Sequence, residues 1–222
     1  MFSKSRLWVW CLAGVMLVGV TAESRAQLAA RKAEEWVPTL EGHQRVAAQK
    51  IDAVLSLLSL KSGMVVADIG AGSGLFSRPL AKAVAPAGKV YAVDIQQDLL
   101  DYINQRDQQE NIHNIQTVLG EFGDPKLPAR DVDLAFINDV LHHIQNRAAY
   151  LKALGGYTKV NGRIAIIEFN KDDPDAPHKN QPELQVGREE ILQWMSDAGF
   201  ELVDEHPDLF PGKKWFLVFA RK

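Results

Sequence analysis

Val65-Val66-Ala67-Asp68-Ile69-Gly70-Ala71-Gly72-Ser73-Gly74 decides the fold. A short apolar run rich in β-branched residues closes on three glycines at alternate positions. Leu75–Val84 beyond it reads as a helix, with Pro79 tolerated because it falls near the helix start. The order is strand, tight turn, helix. Glycines let the backbone take positive φ and let a ligand come close. The helix N-terminus beyond offers unpaired N–H groups. The spacing is G-x-G-x-G. A dinucleotide loop, G-x-G-x-x-G, would put its third glycine where Leu75 stands, and the G-K-[ST] of a phosphate loop is absent. Asp68, two residues before the first glycine, repels phosphate and suits a cationic or amine-bearing ligand.

Outward from this stretch, strand-like and helix-like segments alternate. Met64–Ile69, Lys89–Asp94, Ile115–Leu119, Val132–Asn138 and Arg163–Glu168 read as strands, with helices over Leu99–Gln109 and Arg147–Thr158. Alternation of this kind gives a parallel sheet covered on both faces. Before it, residues 28–37 look helical. Residues 43–60 carry an apolar stripe of Ala47, Ile51, Val54, Leu55 and Leu58 and are expected to form one helix. After it, Arg188–Ala198 reads as a helix capped by Gly199. Phe200–Glu205 and Trp215–Ala220 are strands joined by a connection too short for a crossover helix, so they are expected antiparallel. The polar stretch Asn170–Val186 follows the fifth strand, at the carboxyl edge where open parallel sheets bind ligands. The expected fold class is α/β, a seven-stranded, mostly parallel sheet with an antiparallel C-terminal hairpin.

Tyr91-Ala92-Val93-Asp94 ends the second strand with an acid, twenty residues past Gly74. A carboxylate there can accept from both hydroxyls of a ribose. Together, Asp68-x-Gly70-x-Gly72-x-Gly74 and Asp94 resemble the first two motifs of the class I S-adenosylmethionine-dependent methyltransferases, whose sheet is Rossmann-like. The resemblance runs from about Val65 to the C-terminus. Asp131-Val132-Asp133-Leu134 and Asn138-Asp139-Val140-Leu141-His142-His143-Ile144 are similar to the fourth-strand segment of the small-molecule enzymes related to ubiquinone and menaquinone biosynthesis.

The resemblance implies S-adenosyl-L-methionine as cofactor. Gly70, Ala71 and Gly72, with Ser73 and Gly74 completing the loop, pack against its methionine and ribose portions. Asp68 contacts the amino-acid end, Asp94 holds the ribose hydroxyls, and Ile95 lies against the adenine. Glu121 would accept from the adenine amino group and Phe122 stack on the ring. Glu121 departs from the family's usual Asp. Asn138 faces the methionine portion or the substrate.

Methyl transfer needs the nucleophile and the methyl held in line with water excluded, and a base only when the acceptor carries a proton. His142 and His143, just beyond the fourth strand, are the candidate bases, with Asp139 a further one; the His-His pair also reads as a structural opening to the next helix. Trp36, His43 and Arg45 in the N-terminal helices, and His178, Lys179 and Asn180 in the loop after the fifth strand, can line a pocket but read first as surface or packing residues. No His, Asp and Glu grouping shows metal-ligand spacing, and no metal is expected. Two rivals stay open: a nicotinamide-dependent oxidoreductase, against which the glycine spacing speaks, and a non-catalytic S-adenosylmethionine-binding module.

The 222 residues are 46 % hydrophobic and 24 % charged with net charge −3, which excludes a disordered or multi-span membrane chain and gives no sign of a dedicated nucleic-acid binder. Cys11, the only cysteine, lies near the N-terminus, so cysteine-based metal, disulfide or nucleophile chemistry is excluded from the folded domain. Lys4 and Arg6 precede the uncharged run Leu7–Val20, and Val20-Thr21-Ala22 and Ser24-Arg25-Ala26 follow as cleavage patterns. This is the layout of a secretory signal peptide. The expected division is a signal over 1–26, N-terminal helices over 27–60 and the methyltransferase-like domain over 61–222. The expected location is the periplasm, with a membrane anchor over residues 7–20 as the alternative. The expected partner is a small-molecule acceptor, with no nucleic acid and no stable membrane insertion after cleavage. The acceptor and the oligomeric state stay open. Export sits uneasily with a cofactor made in the cytoplasm.

Overall fold

Alternate residues of each strand go to opposite faces of the sheet, and here both faces are apolar. Val66, Val90, Leu134, Phe136, Ala165, Ile167, Phe216 and Val218 pack into one core layer. Ala67, Ile69, Tyr91, Val93, Ala135, Ile137, Ile164, Ile166, Leu217 and Phe219 pack into the other. Such two-sided strands belong inside a sheet covered by helices. The computed structural model describes residues 32–222 and builds that arrangement. The signal segment and the first residues of the N-terminal helical stretch lie outside the described residues.

The strands are β1 (Val65–Ile69), β2 (Lys89–Asp94), β3 (Ile115–Leu119), β4 (Val132–Asn138), β5 (Thr158–Phe169), β6 (Phe200–Glu205) and β7 (Lys214–Arg221). They form one seven-stranded sheet in the order β3-β2-β1-β4-β5-β7-β6. The first five are mutually parallel. β7 runs antiparallel to both β5 and β6, as the short connection predicts. The strand order reverses between β1 and β4, and the crevice at that switch point is where α/β sheets take ligands.

The helices are α1 (Ala33–Leu40), α2 (His43–Ala48), α3 (Ile51–Leu57), α4 (Ser77–Val84), α5 (Gln97–Glu110), α6 (Arg147–Gly155) and α7 (Arg188–Asp197). Val54 of α3 and Leu80, Ala81 and Val84 of α4 cover one face. Leu151 and Leu154 of α6 and Ile191 and Met195 of α7 cover the other. Leu100 and Ile103 of α5 close over Ala71 and Ala92.

Three expectations need correction. The single helix over 43–60 is two, because Lys50 takes a left-handed conformation (φ 47°) and its Nζ donates to the Leu209 carbonyl at 2.6 Å. The break turns Gln49 inward, where it is buried. The helix of the first βα unit begins at Ser77, since residues 71–75 are consumed by the turn. β5 starts five residues earlier than its apolar run, over the polar stretch Thr158–Gly162. A Cβ on Gly162 would lie 2.8 Å from the Val132 carbonyl oxygen, so only glycine lets β5 approach β4 there.

Candidate functional site

The turn after β1 holds Gly70, Gly72 and Gly74 at φ 69°, 56° and 75°. A Cβ on Gly70 would come 2.4 Å from a Val140 methyl. The amides of Gly70 and Ala71 donate to the Val93 carbonyl at 2.8 and 2.9 Å, which draws the loop across the end of β2. Asp94 completes the lacing. Its Oδ2 accepts from the Gly72 amide at 2.9 Å and its Oδ1 from the Gln96 amide at 3.0 Å. Ile95 lies between those two bonded positions.

Asp68 is buried beneath the loop and accepts from Ser77 Oγ at 2.6 Å. Burial pushes its pKa up to about 7, against the Ser77 bond and with help from the nearby Asp94. Burial also raises Asp94, although amide donors hold it back. Two buried, desolvated acids under one glycine turn make a place that favours a positively charged ligand. Beside them, the Ser73 hydroxyl is buried with no protein partner. Backbone room, buried carboxylates and an orphaned hydroxyl fit a ligand carrying an ammonium or sulfonium.

The end of α1 lies over this loop, with Leu40 Cδ1 3.3 Å from where a Gly72 Cβ would stand. Glu41 fastens it. Arg78 Nη2 donates to Glu41 Oε1 at 2.9 Å and Tyr102 to its Oε2 at 3.3 Å. Arg78 also donates to the Ser73 carbonyl at 2.7 Å, so one guanidinium ties the covering segment to the loop. Trp36 lies half-buried on α1.

Asn138 and Asp139 occupy the tip of β4. Asp139 (φ 55°) accepts at Oδ2 from Gln49 Nε2 at 2.8 Å and from Lys214 Nζ at 2.7 Å. Asn138 Nδ2 donates to Gln49 Oε1 at 3.2 Å. The Lys214 and Asp139 side chains are only 8 % and 2 % exposed, so this ion pair is shielded from water. Asn138 Oδ1 and Asp139 Oδ1 are buried without a protein partner. Gln49 and Lys214 were not read from the sequence as site residues. Their signals are faint: a glutamine off the apolar stripe beside a break, and a lysine opening an otherwise apolar strand.

His142 and His143 lie in a 3₁₀ turn, Leu141–His143, with α6 starting only at Arg147. His142 is buried. Its amide donates to Glu168 Oε2 at 3.0 Å and its Nδ1 to Glu168 Oε1 at 2.8 Å. His143 is held at a pKa of about 3, first by burial and then by the His142, His178 and Arg147 charges facing it. Such an imidazole is neutral at neutral pH and a feeble base, which speaks against His143 as the general base. The sequence shows no metal-ligand spacing, but the fold brings three histidines together from separate segments. The loop after β5 brings His178 back to His142 and His143, with ring centroids 5.3 and 5.6 Å away.

Glu121 and Phe122 follow β3. Glu121 is 68 % exposed at its side chain, lies 3.4 Å from Lys126 Nζ and bridges Asp124 through the backbone. It points to solvent, while Gly120 donates its amide to the Asp94 carbonyl at 2.9 Å. Phe122 is half-buried. Asp68, the glycine loop, Asp94 and Ile95 therefore come together at the ends of β1 and β2, Asn138 and Asp139 at the end of β4, and the histidines beyond it.

The family described as "Methyltransferase domain" matches residues 60–199. An uncharacterized 37.1 kDa protein in a transposon of Streptomyces fradiae is 30 % identical over 193 residues, covering 83 % of this chain and 54 % of that protein. The demethylmenaquinone methyltransferase of Staphylococcus saprophyticus is 29 % identical over 118 residues, 53 % of this chain and 50 % of that one. The chain thus spans about half the length of the curated relatives it matches. A crystal structure of a SAM-dependent methyltransferase from Aquifex aeolicus superimposes with a TM-score of 0.74 at 25 % identity, covering 85 % of this chain and 98 % of that one. With its glycine turn, its paired acids and its antiparallel last strand, the chain belongs to the methyltransferase-domain family.

Proposed function

We propose that this chain is an S-adenosylmethionine-dependent methyltransferase acting on a small-molecule acceptor. The observation that carries the reading is Asp68, an acid buried under a G-x-G-x-G turn with its pKa pushed up to about 7. A cationic cofactor relieves that strain, whereas the pyrophosphate of a dinucleotide would aggravate it. The name of the Aquifex relative and the family match support the same cofactor. Bound S-adenosylmethionine supplies an electrophilic methyl on a positively charged sulfur, which passes to the acceptor as the S–CH₃ bond breaks.

The chain's own residues have three tasks. The glycine turn and Asp94 bind and orient. Leu40 and the Glu41–Arg78 clasp exclude water from above the loop. Asn138, Asp139 and His142, along the carboxyl edge from β4, face the acceptor side, with the His142 ring held in place by the Glu168 carboxylate. The acceptor belongs to the small molecules, not to nucleic acid. We also propose export, from the segment over residues 1–26, with the periplasm as location; N-terminal sequencing of the protein recovered from a periplasmic fraction tests it.

The deciding experiment is calorimetric titration of the chain with S-adenosylmethionine and, separately, with NADH. Binding of the first alone is expected. Binding of NADH alone overturns the reading in favour of an oxidoreductase. S-adenosylmethionine binding with no transfer to any panel of hydroxyl, amine, thiol and carbon acids overturns the catalytic half and leaves a binding module.

A further inference from the structure

We infer that His142, His143 and His178 form a binding site for a divalent transition-metal ion of the zinc class, with Glu168 orienting His142. One ring nitrogen from each histidine lies within 4.8 Å of the other two. Tetrahedral zinc with bonds of about 2.0–2.1 Å places its nitrogens about 3.4 Å apart. The rings therefore have little more than an ångström to close, and His178, the exposed member, has the freedom to do so.

The hydrogen bonds behind two of the rings are those a metal site requires. His142 Nδ1 donates to the buried Glu168 carboxylate at 2.8 Å, which leaves Nε2 with its lone pair. His178 Nδ1 lies 2.7 Å from Gln181 Oε1, an acceptor, and so has its Nε2 free in the same way. Metal-binding imidazoles characteristically carry such a partner on the other nitrogen, which fixes both tautomer and ring angle.

The loop is pinned as well. The His178 carbonyl accepts from the Gln181 amide at 2.8 Å and from Gln185 Nε2 at 2.6 Å, so the ring is presented from an anchored backbone. Arg147 donates to the carbonyls of Leu141, His142 and Glu183 and offsets the Glu168 charge. The ion is then held by three imidazoles. Three protein ligands leave a fourth position on the side of exposed His178, open to water or to a donor atom of a ligand, the pattern of a reactive rather than a structural site. The inference does not rest on the methyl-transfer reading.

The test titrates the full chain with Zn²⁺ alone by calorimetry and with Co²⁺ by visible absorption, beside His178→Ala, His178→Asp, His143→Gln and Glu168→Gln. One equivalent of zinc is expected per chain, with the intense visible bands of four-coordinate cobalt. His178→Ala and His143→Gln should each weaken zinc by about 100-fold or more and abolish the bands. His178→Asp, which keeps a ligand on the same loop, should retain binding. Glu168→Gln should weaken zinc by about 10–100-fold. No saturable zinc binding, or equal affinity in wild type, His178→Ala and His143→Gln, overturns the inference. S-adenosylmethionine titration of the metal-free chain runs alongside, so failure of one reading is distinguished from failure of the other.

Discussion

Asp68 carries the sharpest residue-scale consequence. Its folded pKa is about 7 and its unfolded one near the ordinary carboxylate value of 3.8, so the folded chain holds this proton more tightly. The stabilising contribution is complete below about pH 4 and is lost as pH rises through about 7. Asp68→Asn should therefore flatten the fall in stability between pH 5 and 7, read by urea unfolding at each pH. The same group makes cofactor binding pH-dependent in the opposite sense. A cationic ligand prefers the ionised acid, so S-adenosylmethionine affinity should rise by up to about tenfold from pH 5.5 to 7, and not at all in Asp68→Asn. Lys214 gives a second prediction. Lys214→Met leaves the Asp139 charge buried with only Gln49 to serve it and should cost about 3–5 kcal/mol, most of it restored in the double variant Asp139→Asn/Lys214→Met. Denaturant titration of the four-member cycle measures it; equal stability in all four would show that water reaches the pair. The acids at 68 and 94 were legible because each stands at a fixed offset from the glycines. Gln49 and Lys214 were not, because a hydrogen-bonded group assembled from positions 49, 138, 139 and 214 leaves no periodic trace in any one segment.

At the scale of the element, the glycine turn and the α1 cover behave differently. Gly70→Ala combines a positive φ with a contact of 2.4 Å to Val140 and should destabilise by about 2 kcal/mol or more, with thermal melting as the readout. Arg78→Ala removes the guanidinium that joins the Ser73 carbonyl to Glu41. Faster amide exchange over residues 33–41 is expected, with the strands unchanged; uniform acceleration would mean that the clasp supports the whole sheet. The βα elements were readable because period and turn chemistry agree in them. The break at Lys50 was not, because the apolar stripe of Ala47, Ile51, Val54 and Leu58 continues in phase through it. The early start of β5 was hidden by polar residues whose extended shape is imposed by pairing Thr158 with Val132. The His178 contact was illegible for a third reason: its loop is irregular, and irregular backbone is placed by tertiary bonds, not by pattern.

For the whole molecule, the cofactor acts as part of the fold. A ligand held at 100 times its dissociation constant should add about 2.7 kcal/mol to unfolding, and the melting temperature should climb with its concentration. S-adenosylmethionine that binds in the calorimeter yet leaves melting unmoved would place it away from the glycine turn. The global architecture was the most legible property, since a seven-strand count and the handedness of short connections leave few topologies open.

The position of β7 has one more effect. β7 is inserted between β5 and β6, which precede it in sequence, pairing Ala165 with Val218 on one side and Leu202 with Phe219 on the other. The sheet therefore cannot close until β7 has been made, and β6, made earlier, has no neighbour to wait beside. Synthesis proceeds at about 5–20 residues per second, and for the seconds that separate β5 from β7 the nascent chain lacks the strand that locks its topology.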